Sequence, residues 1–423
     1  MDARQRTRSC SRERSVRKPG RPRGSCQICL VMERETYDGI WEDPRQVRQL
    51  IEEAIKTVPE LLPAGIENGF ELTGRLPESK KMPGIRLRQL RLRDGRAFTL
   101  RPSFVMPYMS GTVDEVELAL LLLSHNVPTW VVTRIFGHSD MFWQRHLERL
   151  GRNSLVGTTV RNSARLPEHL AADEHHLDWC GEKGYVAVTA GGGCLLGVAL
   201  SASADEAHLT QAYGQFAHEA QDAAPQYQPK TVNTDGWFAT QNTFQTLFTG
   251  IVTILCFLHG FLKIRDRCRK ARELHREIWH VYRAETAEEF QARMAAFRIW
   301  FEAGTWTRAV QEVVAKLWSH QSEYQLSYAH PGCHRTSNLV DRLMNRLARF
   351  AYAGRGLHGH QSSSECRLRG WALLQNFCPF APRSNQHREH QSAAHRLNQK
   401  QYHSNWLHNL QASASLGGYR CCT

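Results

Sequence analysis

Two runs of β-forming residues joined by a short glycine turn constrain this chain more than any other feature. Residues 184–189 (GYVAVT) and Cys194–Ser201 (CLLGVALS) flank Ala190-Gly191-Gly192-Gly193. Branched and small apolar side chains suit a pleated, buried surface, and glycines reach the backbone angles of a tight reversal, so the segment predicts a β-hairpin. Residues 169–176 stand where a preceding strand belongs. Downstream, apolar spacing predicts a helix over 205–223, a short strand over 230–234 ending at Asp235, a helix over 238–248 and an apolar strand over 251–257.

With 423 residues the chain exceeds one ordinary core, and two or three domains are expected. Residues 1–25 form a basic arm too poor in apolar side chains to fold alone. Residues 26–111 show one clear helix, 44–57, and no recognisable fold. Residues 112–160 predict three short helices, with Asn126 and Ser139 as caps and Gly137 at a turn. Val116, Leu118 and Leu120 to Leu123 read as a buried first helix, and the second runs through Trp130, Val131 and Ile135. Phe142, Trp143, Leu147 and Leu150 are the apolar side of the third helix, with Arg145, His146 and Arg149 facing away. This suits a helix-turn-helix whose last helix enters the major groove, or an ordinary three-helix packing element. The α/β unit occupies 161–380 and contains a helical stretch at about 261–325. Residues 381–423 read as a poorly patterned tail.

The formal net charge is +13 at pH 7. Such a surplus favours a polyanionic partner, because each Lys or Arg that meets a phosphate releases a condensed counterion. In the arm, Lys18, Arg21 and Arg23 lie in Arg17-Lys-Pro-Gly-Arg-Pro-Arg-Gly24, which looks like an AT-hook able to lie along a narrow minor groove. The most apolar run, 246–262, is shorter than the roughly 20 residues of a spanning helix, so no membrane is expected. Without a secretory h-region the 12 cysteines are expected to be reduced and the protein cytoplasmic. Cys26-Gln-Ile-Cys29 is a lone pair, short of the four ligands of a zinc site.

Three acids stand where chemistry can use them. Asp235 closes a strand in Thr-Val-Asn-Thr-Asp-Gly-Trp, Asp173 lies just before the hairpin with Glu174 and Asp178 as rivals, and Asp341 opens a helix that Thr336 or Ser337 can cap. Each also has a bland explanation, as a turn or helix-terminus acid. Carboxylates converging from separate elements are the ligands that Mg²⁺ or Mn²⁺ prefers.

In order, Asp173, the hairpin, Asn-Thr-Asp235-Gly and Thr-Ser-Asn-x-x-Asp341-Arg resemble the acidic motifs of DDE/D insertion-sequence transposases. Cys256-Phe-Leu-His259 resembles the Cys-x-x-His signature of their Mutator-like group. The third acid is Asp where those relatives usually have Glu. The resemblance covers about 165–360 and implies an α/β, RNase H-like catalytic core with a helical insertion, preceded by an α-helical DNA-binding region. It also implies metal-dependent DNA cleavage and strand transfer, with Asp173, Asp235 and Asp341 as catalytic metal ligands. Cys256 and His259 would organise the junction with the insertion, and Arg145 and Arg149 would contact DNA. The partners implied are element ends and target DNA, with a homo-oligomer assembled on them in a bacterial nucleoid. The alternative is an inactive DNA-binding protein or repressor derived from such an enzyme, or a nuclease that cuts without joining.

Overall fold

The computed structural model describes residues 26–419. The expected contacts of Lys18, Arg21 and Arg23 lie outside the described residues. Residues 26–111 form a four-stranded sheet of β1 (Gln27–Leu30), β2 (Phe70–Arg75), β3 (Arg88–Leu92) and β4 (Ala97–Pro102), in the order β1-β4-β3-β2. Helices α1 (Arg34–Ile40) and α2 (Pro44–Thr57) belong to the same unit, where Val47 and Ile51 share a core with Ile28, Leu90, Phe98 and Leu100. The region ahead of the α/β unit is thus part sheet, not α-helical throughout. Inward-facing Arg88 hid β3 from the hydrophobic pattern; it is 3% exposed and its Nε donates to the Trp41 carbonyl.

Next come α3 (Val113–Ser124), α4 (Thr129–Phe136), α5 (Asp140–Gly151) and α6 (Leu155–Thr159). Thr112 and Glu115 form a reciprocal capping box for α3, and Ser139 accepts from Phe142 N–H to start α5. Asn126 does not cap α4, which begins after Pro128 without a side-chain cap. One apolar expectation changes, since Leu118 is more than half exposed, as are Trp130 and Ile135 on α4. His146, expected on the outer side of α5, is buried, with hydrogen bonds to the Phe142 carbonyl and Ser110. One face of α5 is committed to α15 (Gln361–Phe377). Their backbones approach so closely that a Cβ at Gly151 would meet the Cys366 carbonyl, and one at Gly370 the Leu147 carbonyl. Only the remaining face, with Arg145, is available to a groove.

The second sheet has five strands: β5 (His169–Trp179), β6 (Glu182–Gly191), β7 (Cys194–Ser201), β8 (Thr231–Thr234) and β9 (Val252–Leu255). Their order is β7-β6-β5-β8-β9; the first three run antiparallel as the glycine turn requires, and β8 and β9 run parallel to β5. One face packs on α7 (Glu206–Ala223, capped by Asp205) and α8 (Phe238–Leu247) through Leu209, Tyr213, Phe216 and Phe244. The other packs on α14 (Asn338–Ala353) and α15 through Val340, Leu347, Leu368 and Trp371. Between β9 and α14 the chain builds α9 (Phe257–Arg267), α10 (Arg272–Tyr282), α11 (Ala287–Glu302), α12 (Arg308–Ser319) and α13 (Gln321–Gln325). These helices have a core of their own that includes Ile278, Phe290, Phe297 and Val314.

The expected C-terminal tail is instead part of the interior. It carries α16 (Ala393–Asn398) and α17 (Trp406–Ser413), with Leu407 and Leu410 fully buried. Ser415 Oγ accepts from Cys29 N–H and donates to the Leu61 carbonyl, which ties this segment to the first sheet. Among the described residues, no helix is long and apolar enough to cross a membrane.

Candidate active site

The parallel register brings two of the acids level with each other. Ala171 pairs with Asn233, so Asp173 and Asp235, each two residues on, stand side by side where β5 and β8 part. Thr234 pairs with Leu255, which brings Cys256 into line with Asp235 on the next strand. Ligand sites of open α/β sheets collect at this edge, beyond the carboxyl ends of parallel strands.

Strand alternation separates Asp173 from its rivals. Glu174 points to the opposite face, where its Oε1 accepts from Tyr213 OH (2.6 Å) and Thr240 Oγ1 (2.7 Å). Asp178 lies farther along β5 and accepts from Gly181 N–H at the turn into β6 (2.9 Å). Asp235 Oδ1 accepts from Trp237 N–H (2.8 Å) across Gly236, whose φ of 93° favours glycine. Trp237 and Phe238 beside it are exposed.

Asp341 reaches the same edge from the first turn of α14. Ser337 precedes that helix with φ −76° and ψ 7°, not the extended backbone of a capping serine, and its hydroxyl does not cap the helix. It donates instead to Asp341 Oδ2 (2.7 Å), while Cys256 Sγ lies 3.2 Å and His259 Nδ1 3.3 Å from the Ser337 Oγ. Ser337 N–H also donates to Cys256 Sγ (3.1 Å). With its single proton committed to Asp341, the Ser337 hydroxyl can only accept from His259, so Nδ1 of that ring carries a proton. A hydrogen bond to Cys256 is the main cause that pushes the His259 pKa up to about 9; the charges of Cys256, Asp341 and Asp173 add to it against burial. Burial opposes ionisation of the Cys256 thiol, but hydrogen bonds from His259 and Ser337 outweigh it and lower its pKa.

Cys256 and His259 thus both contact the serine that holds Asp341. One ligand atom each from Asp173, His259 and Asp341 lie within 4.8 Å of one another, so His259 stands among the acids. Asp235 is outside that tight group, yet its charge reaches Asp173. Among the described residues one other cluster has metal-binding donors, Glu33, His403 and His408; Cys26 and Cys29 belong to neither. Arg145, exposed on α5, and Arg149, stacked over the Tyr108 ring at 5.6 Å, are not part of the acid cluster.

Sequence reasoning missed two supports. Ser337 was visible only as a helix cap, because its link to Cys256 and His259 is tertiary. Arg335 lies between the rings of Tyr282 (4.8 Å) and Tyr328 (4.5 Å) and donates to the Tyr282 and Ala284 carbonyls. It thereby fastens the inserted helices to the loop that presents Ser337 and Asp341. No local pattern marks such a residue. Comparison of the chain with protein-family models and with curated proteins finds no match.

The crowding of carboxylates has a measurable consequence. Burial first, and then repulsion from Asp235 and Glu174, push the Asp173 pKa up to about 7. The native state thus holds a proton that the unfolded chain has released, and stability of the metal-free protein should fall as pH rises from about 4 to about 7. The ionised group is expected to cost on the order of 2 kcal/mol after discounting its partial exposure. Asp173→Asn should remove this pH dependence and raise the melting temperature at pH 8 in EDTA. A variant that melts below wild type across that range would contradict the account.

Proposed function

We propose that the chain is a metal-dependent DNA strand-transfer enzyme of the DDE/D type on an RNase H-like core. The convergence of Asp173, Asp235 and Asp341, from two strand ends and one helix, carries this reading. The five-strand order, with three antiparallel strands followed by two parallel ones, supports it, and so does the helical insertion between β9 and α14. The acids fit a divalent cation, because partly buried carboxylates gain from a shared positive charge: Asp235 repels Asp173, and Asp173 and Asp341 lie in one tight group with His259.

Asp173, Asp235 and Asp341 would hold Mg²⁺ or Mn²⁺, and such ions supply Lewis-acid activation of the attacking oxygen and charge stabilisation of the leaving one. The protein supplies position. The two strand ends fix Asp173 and Asp235 in register, Ser337 aims Asp341, and His259 balances the negative charge of the cluster. Water would free a 3′-hydroxyl at an element end, and that hydroxyl would then attack target DNA, with no covalent enzyme intermediate. The surplus of cations, the basic arm with Lys18, Arg21 and Arg23, and Arg145 and Arg149 on α5 would hold the DNA. On this reading the protein works on bacterial DNA in the cytoplasm, assembled as a homo-oligomer on the ends.

The test is to incubate the full chain with the DNA that flanks its gene and with Mg²⁺ or Mn²⁺, and to look for joined products. Joining is expected. Cutting without joining would replace the proposal with a nuclease, and binding without either would leave an inactive DNA-binding descendant.

A further inference from the structure

The outer face of α14 is basic along most of its length. Val340, Leu343, Met344, Leu347 and Ala351 hold the inner face, all of them buried. Arg342, Arg346 and Arg349 point outward and are exposed, and Tyr352, one turn on, is 86% exposed. On α1, α11 and α12 an exposed arginine is answered by an acid four residues away: Arg34 by Asp38, Arg298 by Glu302 and Arg308 by Glu312. On α14 they are not. Arg342 donates to the Asn338 carbonyl and Arg346 to Gln375 Oε1, both neutral acceptors. The neighbours of Arg346 at four residues before and three after are Arg342 and Arg349, like charges whose repulsion weakens a helix. The helix therefore carries a repulsion that an anionic partner would relieve.

We propose that the Arg342–Arg346–Arg349 face of α14 is a docking track for the phosphate backbone of duplex DNA. It begins one residue after Asp341 and leads away from the acid cluster. Seven residues of helix advance about 10.5 Å, close to three rises of about 3.4 Å along one strand, so the three arginines fall within the span of four successive phosphates. Every neighbour three or four residues from these arginines along the helix is neutral or basic. The proposal rests on the strand-transfer reading for its choice of DNA, but it concerns binding alone.

The test measures affinity of the full chain for a fluorescein-labelled duplex of about 30 base pairs by anisotropy, in EDTA, between about 50 and 200 mM salt. Each phosphate contact contributes about 0.9 to the slope of log K against log salt, so R342Q/R346Q/R349Q should flatten it by roughly 2 to 3 and weaken binding at least about tenfold. The matching Arg→Lys variant should retain most of the slope, and R298Q/R308Q should leave it unchanged. The melting temperature should not fall, because repulsion is removed. A slope that is unchanged in the triple Gln variant of normal stability overturns the track, as does a loss confined to a single-stranded oligonucleotide of the same length. If the slope falls as expected but no cleavage or joining is found with Mg²⁺ or Mn²⁺, the track stands and the strand-transfer reading fails.

Discussion

Asp235→Ala is expected to lower strand cleavage and joining by several powers of ten while leaving affinity for DNA nearly unchanged. Loss of a carboxylate at the β8 edge removes a ligand where charge stabilisation does most to lower the barrier of phosphoryl transfer. Asp341→Ala should do the same from the helix side. It removes the acceptor of the Ser337 hydroxyl, which then keeps only its contacts to Cys256 and His259. Asp173→Ala should fall in the same class, and Asp178→Ala should not, because Asp178 closes the β5–β6 turn through Gly181 and faces away from the cluster. The measurement is single-turnover joining with labelled ends, with binding measured separately in EDTA. Near wild-type joining by Asp235→Ala would remove the catalytic assignment. Equal losses from Asp173→Ala and Asp178→Ala would point to damage of the strand and not to a site.

Local chemistry made much of this architecture readable, and tertiary chemistry concealed the rest. The glycine turn of the hairpin, the Ser139 cap, the Gly137 stop and the apolar periods of α7, α8 and α14 all act within a few residues, and their elements lie where those signals put them. The acids were legible as strand-end and helix-start residues, but not their register, which depends on how β5, β8 and β9 pair. The opposite error occurred where polar groups were buried. Gln411, Asn409 and Ser415 are almost wholly shielded from water, so α17 and its neighbours carry no hydrophobic period although they lie inside the fold. Arg88 and Arg101 disguised β3 and β4 in the same way. Leu118 errs in the other direction, as an apolar residue at helical spacing that nothing described covers. Periodicity reports what a helix can bury; packing decides which face is used.

Replacing Arg369 alone by Met should destabilise the protein by roughly 3 to 5 kcal/mol, the largest single loss expected outside the acid cluster. Arg369 on α15 and Glu219 on α7 are almost completely buried and lie 2.5 Å apart. Each is also saturated by other partners. Arg369 donates to the Gly151 and Asn153 carbonyls at the end of α5, and Glu219 Oε2 accepts from Ser154 Oγ and Val156 N–H at the start of α6. The pair therefore joins four helices where α5 and α15 come too close for side chains at Gly151 and Gly370. Removal of one partner leaves an uncompensated charge in the interior, whereas removal of both leaves mainly unmet hydrogen bonds. Arg369→Met and Glu219→Leu should each be severe, and the double variant should be clearly less destabilised than the sum of the two. Urea unfolding of the four proteins in this cycle supplies the coupling energy. Additive losses would mean that the two charges are stabilised independently by their backbone partners, and the ion pair would then not be what fastens α7 to α15.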